Sequence, residues 1–126
     1  QPEILIRSGL HRLWFRYRLH EKKLPGRPDI VLPKYSAVIL VHGCFWHGHD
    51  CKYFKLPSTR GEFWQSKIEG NCSRDIRNMS ALIADGWRVC VVWECAVRGS
   101  SGNTEAVCHK IACWLKSRSA QLEIRE

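Results

Sequence analysis

Ser36-Ala-Val-Ile-Leu-Val-His42 and Arg88-Val-Cys-Val-Val-Trp-Glu-Cys95 decide the fold. Each is a nearly continuous apolar run of strand length, the pattern of a strand buried on both faces of a sheet. Between them, Ser58 or Thr59 can cap a helix that runs through Gly70, with Glu62 in its first turn. A second helix is expected from Ser73 to Asp85, with Ile76, Met79, Leu82 and Ile83 on one side and Gly86 ending it. On the N-terminal side, Ile30 to Leu32 reads as a short strand closed by Pro33. Leu24-Pro25-Gly26-Arg27-Pro28 is turn chemistry, because two prolines and a glycine continue neither helix nor strand. Arg12 to His20 alternates like a strand, with Leu13, Phe15, Tyr17 and Leu19 on one face, and residues 2–9 read as a helix stopping at Gly9. On the C-terminal side, Ser100 to Asn103 is a loop, and Thr104 to Arg118 is amphipathic with Val107, Ile111, Trp114 and Leu115 at helical spacing. Strands followed by alternating strands and helices give an α/β fold, a small mixed β-sheet flanked by helices. No repeat or linker interrupts the 126 residues, so residues 1–126 are read as a single domain.

Composition narrows the function. Hydrophobic residues make up 44% and charged residues 25%, the mix of a folded domain rather than a disordered one. No apolar run reaches the roughly 20 residues of a membrane span. The net charge of +8 and pI near 9.4 favour a polyanionic partner, since each neutralised phosphate releases condensed counterions. Seven cysteines, an odd number at irregular spacing, point to a reducing compartment rather than a disulfide scaffold. Cys72, Cys90, Cys108 and Cys113 fall in apolar patterns, where a thiol behaves as a small hydrophobe. The chain opens at Gln1 rather than Met, so an upstream segment is expected to be missing.

The densest chemistry lies in His42-Gly43-Cys44-Phe45-Trp46-His47-Gly48-His49-Asp50-Cys51. Two thiols and three imidazoles within one loop exceed what packing needs. Cys44, His49 and Cys51 can wrap one zinc ion, and Cys95, at the end of the later strand, is the best-placed fourth ligand. Four protein ligands leave no open position, so the zinc is expected to be structural. His42 and His47 remain outside that set. Asp29, entering the strand at Ile30, is expected to sit beside them, because neighbouring strands end there. One carboxylate with a backbone carbonyl, water and a substrate phosphate is how Mg²⁺ is commonly held. Such an ion polarises a phosphodiester, while a neutral imidazole takes a proton from attacking water. Phe45 and Trp46 have little core around them in sequence and suit wedging between base pairs; Phe63-Trp64 is placed to do the same. Ordinary core anchoring competes with that role for Phe63, Trp87, Trp93 and Trp114. Lys52, Lys55, Arg60, Lys67, Arg74 and Arg77 follow as phosphate-contact candidates.

Taken together, Leu24-Pro-Gly-Arg-Pro-Asp29, His42-Gly-Cys-Phe-Trp-His47, His49-x-Cys51, Phe63-Trp64, Gly86-Trp-Arg-Val89 and Val92-Trp-Glu-Cys95 resemble the very short patch repair (Vsr) endonucleases of bacteria. The resemblance implies an enzyme that nicks one strand of double-stranded DNA beside the thymine of a T:G mismatch left by deaminated 5-methylcytosine, using Mg²⁺. It implies a fold similar to the PD-(D/E)xK restriction endonucleases, with mismatch-repair proteins as further partners and a cytoplasmic, nucleoid-associated setting; a monomer is the default. By matching position, Asp29 and the Val41 carbonyl would hold magnesium, His47 would be the general base, and His42 would support the phosphate. Cys44, His49, Cys51 and Cys95 would bind structural zinc, and Phe45, Trp46 and Trp64 would form the intercalating wedge. Lys67 and Asn71 would approach the mismatched pair, and Glu3 falls where the family has an acid near the metal site. The second acid and the lysine of the wider nuclease superfamily are absent, with Val41-His42 in their place. The N-terminal segment that clamps the minor groove in relatives is also expected to be missing. A zinc-stabilised DNA-binding module without catalysis is the alternative. A zinc deaminase is disfavoured, because the H-x-E with P-C-x-x-C pattern is absent.

Overall fold

The computed structural model describes residues 2–98 and 103–126. Its elements, in chain order, are α1 (Pro2–Arg12), β1 (Arg18–Leu19), β2 (Ile30–Leu32), β3 (Ala37–His42), α2 (Gly61–Ala84), β4 (Arg88–Trp93), α3 (Thr104–Leu115) and β5 (Gln121–Ile124), with single 3₁₀ turns at Pro33–Tyr35 and Glu94–Ala96. The strands form one sheet in the order β1-β2-β3-β4-β5. The β1–β2 and β2–β3 pairs are antiparallel; β3–β4 and β4–β5 are parallel. The expected mixed sheet flanked by helices is therefore present.

Alternation along β3 assigns the two faces. Ala37 and Ile39 pack with Ile6 and Leu10 of α1 and with Val107, Ile111 and Trp114 of α3. Val38 and Leu40 pack with Leu82 and Met79 of α2. The central strands are thus covered on both sides, which is why they read as continuous apolar runs. At the end of β3, Val41 packs toward α1 and α3, whereas His42 faces α2.

Several elements differ from the sequence reading, each for a tertiary reason. The first helix does not stop at Gly9 but runs to Arg12. Gly9 marks a close helix crossing, since a Cβ there would lie 2.4 Å from Cys108 Sγ. The segment from Arg12 to His20 pairs only at Arg18–Leu19, because Trp14 takes a positive φ of 70° and turns the chain out of the helix. Phe15 is nevertheless buried, and Leu13 and Tyr17 pack against the core, whereas Leu19, on the edge strand, is exposed, so the alternation reported burial only as far as Tyr17. The two expected helices at 58–70 and 73–85 are one 24-residue helix. Asn71 Nδ2 donates to the Trp46 carbonyl (2.9 Å) and Cys72 Sγ to the His47 carbonyl (3.2 Å), contacts that offset the roughly 1 kcal/mol cost of Gly70 in mid-helix. Neither Ser58 nor Thr59 caps it; Arg60 stands at the N-cap with no side-chain bond.

The last helix ends at Leu115 rather than Arg118. Arg88 closes it, donating to the carbonyls of Trp114 (2.6 Å), Leu115 (3.1 Å) and Ser117 (3.0 Å). The chain is then free to form β5, which its sequence did not announce. Of the loop expected over 100–103, only Asn103 lies among the described residues; its Oδ1 caps α3 by accepting from Ala106 N at 3.0 Å. No described helix is long and apolar enough to cross a membrane.

Candidate active site

The C-terminal end of β3 is where the chemistry collects. Asp29 immediately precedes β2, and its Oδ2 accepts a 2.7 Å hydrogen bond from the Val41 amide. That bond fixes the carboxylate against the strand end. Burial raises the Asp29 pKa above the usual carboxylate range; the Val41 amide opposes this and the neighbouring Glu3 carboxylate adds to it. Glu3, in the first turn of α1, reaches the same spot, with Oε1 3.1 Å from His20 Nε2. The ligand atoms of Glu3, His20 and Asp29 lie within 4.8 Å of one another.

On the α2 side of the same strand end, His42 and His47 stack face to face, ring centroids 3.9 Å apart and planes 5° from parallel. His47 Nδ1 is 2.5 Å from Asp75 Oδ2. An ionised carboxylate only accepts, so Nδ1 carries the proton and Nε2 keeps the lone pair. His42 is buried and its pKa falls to about 4, chiefly through desolvation and then through repulsion from His47; Asp75 and Glu123 oppose the shift. Its Nδ1 has no hydrogen-bond partner among the described residues. His42, His47, Asp75, Met79 and Trp93 line one shallow cavity.

Asp29, His42 and His47 therefore do not form one ligand set. Asp29 groups with Glu3 and His20, and the two imidazoles group with Asp75. Asp75 is the residue that sequence reasoning missed. Its signal was spacing: it follows Asn71 by one helical turn, and Asn71 is tied to the same loop, but reading a new helix from Ser73 made Asp75 an ordinary first-turn acid.

Cys44, His49, Cys51 and Cys95 come together with ligand atoms within 4.8 Å, the first three from the loop after β3 and Cys95 from the turn after β4. Cys95 Sγ lies 3.5 Å from His49 Nδ1. Sulfur at about 2.3 Å and nitrogen at about 2.0 Å from a tetrahedral ion stand roughly 3.5 Å apart, so the set fits a closed Cys₃His site. Burial pushes the Cys44 and Cys95 thiols well above their ordinary pKa and lowers that of His49. Soft donors brought this close together fit a cation that would hold the sulfurs as thiolates. The surroundings orient the ligands. The His49 ring stacks on Trp93 with centroids 4.0 Å apart. Its Nε2 stands 3.7 Å from Asp50 Oδ1, too far for a hydrogen bond, and Arg125 holds that carboxylate at 2.6 Å. Glu94 Oε1 accepts from the Cys44 amide at 3.2 Å. Asp50 thus ties the loop to Arg125, which follows β5.

Beside this loop, Phe45, Trp46 and Trp64 meet edge to face, with centroids 5.2 to 5.8 Å apart. Trp46 is half exposed, whereas Phe45 and Trp64 are partly covered. Phe63 is also exposed and lies under the Arg60 guanidinium, 4.4 Å away. Lys67 is exposed on α2, and Asn71 Nδ2 donates to the Trp46 carbonyl at 2.9 Å.

The chain is similar in sequence to known proteins. The family model described as DNA mismatch endonuclease Vsr matches residues 1–53. A type II nicking enzyme of Xanthomonas oryzae pv. oryzae is 55% identical over 95 residues, covering 75% of this chain and 70% of the relative. The DNA mismatch endonuclease Vsr of Escherichia coli is 48% identical over 109 residues, covering 86% and 70% respectively. A type II nicking enzyme of Neisseria meningitidis serogroup A is 46% identical over 101 residues, covering 80% and 72%. These relatives define the class, that of endonucleases, which hydrolyse phosphodiester bonds. The chain belongs to the Vsr family of DNA mismatch endonucleases.

Proposed function

We propose that this protein is a Mg²⁺-dependent endonuclease that nicks one strand of double-stranded DNA beside the thymine of a T:G mismatch. The observation that carries the reading is the pairing of His47 with Asp75 at the same strand end that holds Asp29. Asp29 and the Val41 carbonyl would hold the catalytic ion, with Glu3 beside them. When bound, a divalent cation there supplies charge that polarises the phosphodiester and stabilises the leaving oxygen. His47, oriented through Nδ1, takes a proton from the attacking water at Nε2 as the water oxygen bonds to phosphorus and the leaving oxygen departs. His42, kept neutral by burial, would support the scissile phosphate. The scissile phosphate thus lies between the Asp29 group on one side of β3 and the two imidazoles on the other.

Zinc is the ion assigned to Cys44, His49, Cys51 and Cys95, and it supplies structure to a loop poor in aliphatic residues. Phe45, Trp46 and Trp64 wedge into the duplex next to the mismatch, with Lys67 near the mismatched pair. Asn71, which also braces the Trp46 backbone through Nδ2, would approach the same pair. A fold like that of the PD-(D/E)xK nucleases is supported by the mixed sheet with its acidic residues at one end. Partnership with mismatch-repair proteins and a cytoplasmic setting follow from the family resemblance.

The test is nicking of duplexes that carry T:G, T:A or C:G at one position, with and without Mg²⁺. Cleavage restricted to T:G with magnesium, and abolished in Asp29→Ala while zinc content and DNA binding persist, is the expected result. Unchanged nicking by Asp29→Ala would reject the metal assignment; tight T:G binding by the wild type without cleavage would leave a DNA-binding module.

A further inference from the structure

Glu3, His20 and Asp29 belong to three different elements, yet their donor atoms converge. Glu3 sits in the first turn of α1, His20 follows β1, and Asp29 leads into β2. Two features fix the backbone from which His20 projects. Its amide donates to the Asp29 carbonyl at 3.1 Å, closing the β1–β2 ladder. Its φ of 50° lies in the left-handed region, which a residue with a Cβ adopts only when its surroundings require it. The result is an imidazole whose Nε2 faces Glu3 Oε1 at 3.1 Å. Neighbouring ligands about 2.1 to 2.2 Å from an octahedral ion are about 3 Å apart, so this spacing is that of two adjacent coordination positions. Asp29 Oδ1 remains available, because only Oδ2 accepts the Val41 amide. The other charge at the site is Arg7, whose guanidinium lies 3.1 Å from Glu3 Oε2, on the far oxygen of that carboxylate.

The donor set is therefore two hard oxygens and one borderline nitrogen. Mg²⁺ strongly prefers oxygen and keeps its waters, whereas first-row transition ions accept imidazole readily alongside carboxylates. We propose that His20 Nε2 is a third protein ligand of the divalent ion held by Asp29 and Glu3, and that it makes the site favour Mn²⁺ over Mg²⁺. The inference rests on Asp29 being an ion ligand, as argued above, and adds a nitrogen donor and a metal preference to it. His20 is half exposed, so an ion can reach it from solvent.

The test uses the zinc-loaded protein, which keeps His49 out of play, with Mn²⁺ as the probe. Electron paramagnetic resonance counts free and bound Mn²⁺, and electron spin-echo modulation detects a coordinated ¹⁴N. Wild type should show ¹⁴N modulation. His20→Gln should lose the modulation and raise the Mn²⁺ Kd about tenfold, with the Mg²⁺ Kd changed less than about threefold. His47→Gln should keep the modulation, which separates this site from the other imidazoles. Bound Mn²⁺ that depends on Asp29 but shows no ¹⁴N modulation, or modulation that survives His20→Gln, overturns the role of His20 and leaves the Asp29 site standing. Absence of Mn²⁺ binding, or binding that is unchanged in Asp29→Ala, overturns both. A wild-type spectrum without ¹⁴N modulation overturns the role of His20 without recourse to any variant.

Discussion

With Asp75 accepting a hydrogen bond from Nδ1–H, His47 presents Nε2 in a fixed direction, and the carboxylate stabilises the imidazolium that forms when a proton is accepted. Asp75→Asn should therefore slow single-turnover nicking about 100-fold or more while DNA affinity stays within about threefold. An unchanged rate would move the base elsewhere. His42 shows the opposite use of an imidazole. Burial and its stacked neighbour hold its pKa near 4, against 6.5 for the free side chain. Between those values the unfolded chain binds more protons than the folded one, so this contribution is complete above pH 6.5 and is lost as pH falls toward 4. A shift of that size corresponds to about 3 kcal/mol. The His42 ring resonance should titrate near pH 4, and in zinc-loaded protein His42→Gln should flatten the loss of stability between pH 6.5 and 4. Titration of His42 near 6.5 would contradict its burial.

Among the elements, the loop after β3 depends on its neighbours to an unusual degree. It contributes Cys44, His49 and Cys51, but the fourth ligand comes from the turn after β4, and α2 braces its backbone through Asn71 and Cys72. The chain end joins in through Arg125 and Asp50. An ion in the Cys₃His site would therefore link the ends of β3 and β4, so its removal should loosen the sheet end and the aromatic cluster together. Zinc removal by a chelator should lower the Tm by about 10 °C or more and increase Trp46 accessibility to quenchers, with recovery on adding zinc back. A Tm that ignores chelation would show that packing alone holds the loop. The 24-residue α2 is legible as helix from its periodicity, but not as one helix. Gly70, Asn71 and Ser73 read locally as a break, and only the contacts of Asn71 and Cys72 with the loop explain why the break does not occur.

At the scale of the whole molecule, the charge of +8 sets how strongly a polyanion such as DNA is attracted, over a range that salt limits. Exposed Lys67 and Arg74 lie on α2, the helix that carries Asp75 and Trp64. If the backbone of the duplex runs along α2, each lysine or arginine that meets a phosphate contributes about 0.9 to the slope of log K against log salt. Lys67→Ala and Arg74→Ala should each flatten that slope by about this amount and weaken binding to matched and mismatched duplexes alike. Loss of affinity without a change of slope would mean that these side chains touch no phosphate.

Sequence alone determined what depends on local pattern. The two central strands were legible because burial on both faces forces continuous apolar runs. The four Cys and His residues were legible as a set because three fall within eight positions and few other roles suit so many soft donors there. What only the tertiary structure decided are meetings between distant side chains. Asp29 joined Glu3 and His20 rather than the histidine rings, because residues near a strand end divide between the two faces of the sheet. Asp75 found His47, and β5 found β4, through packing across α2 and the sheet edge. Local periodicity carries no record of such meetings, because their energy comes from groups that approach one another only after the chain has folded.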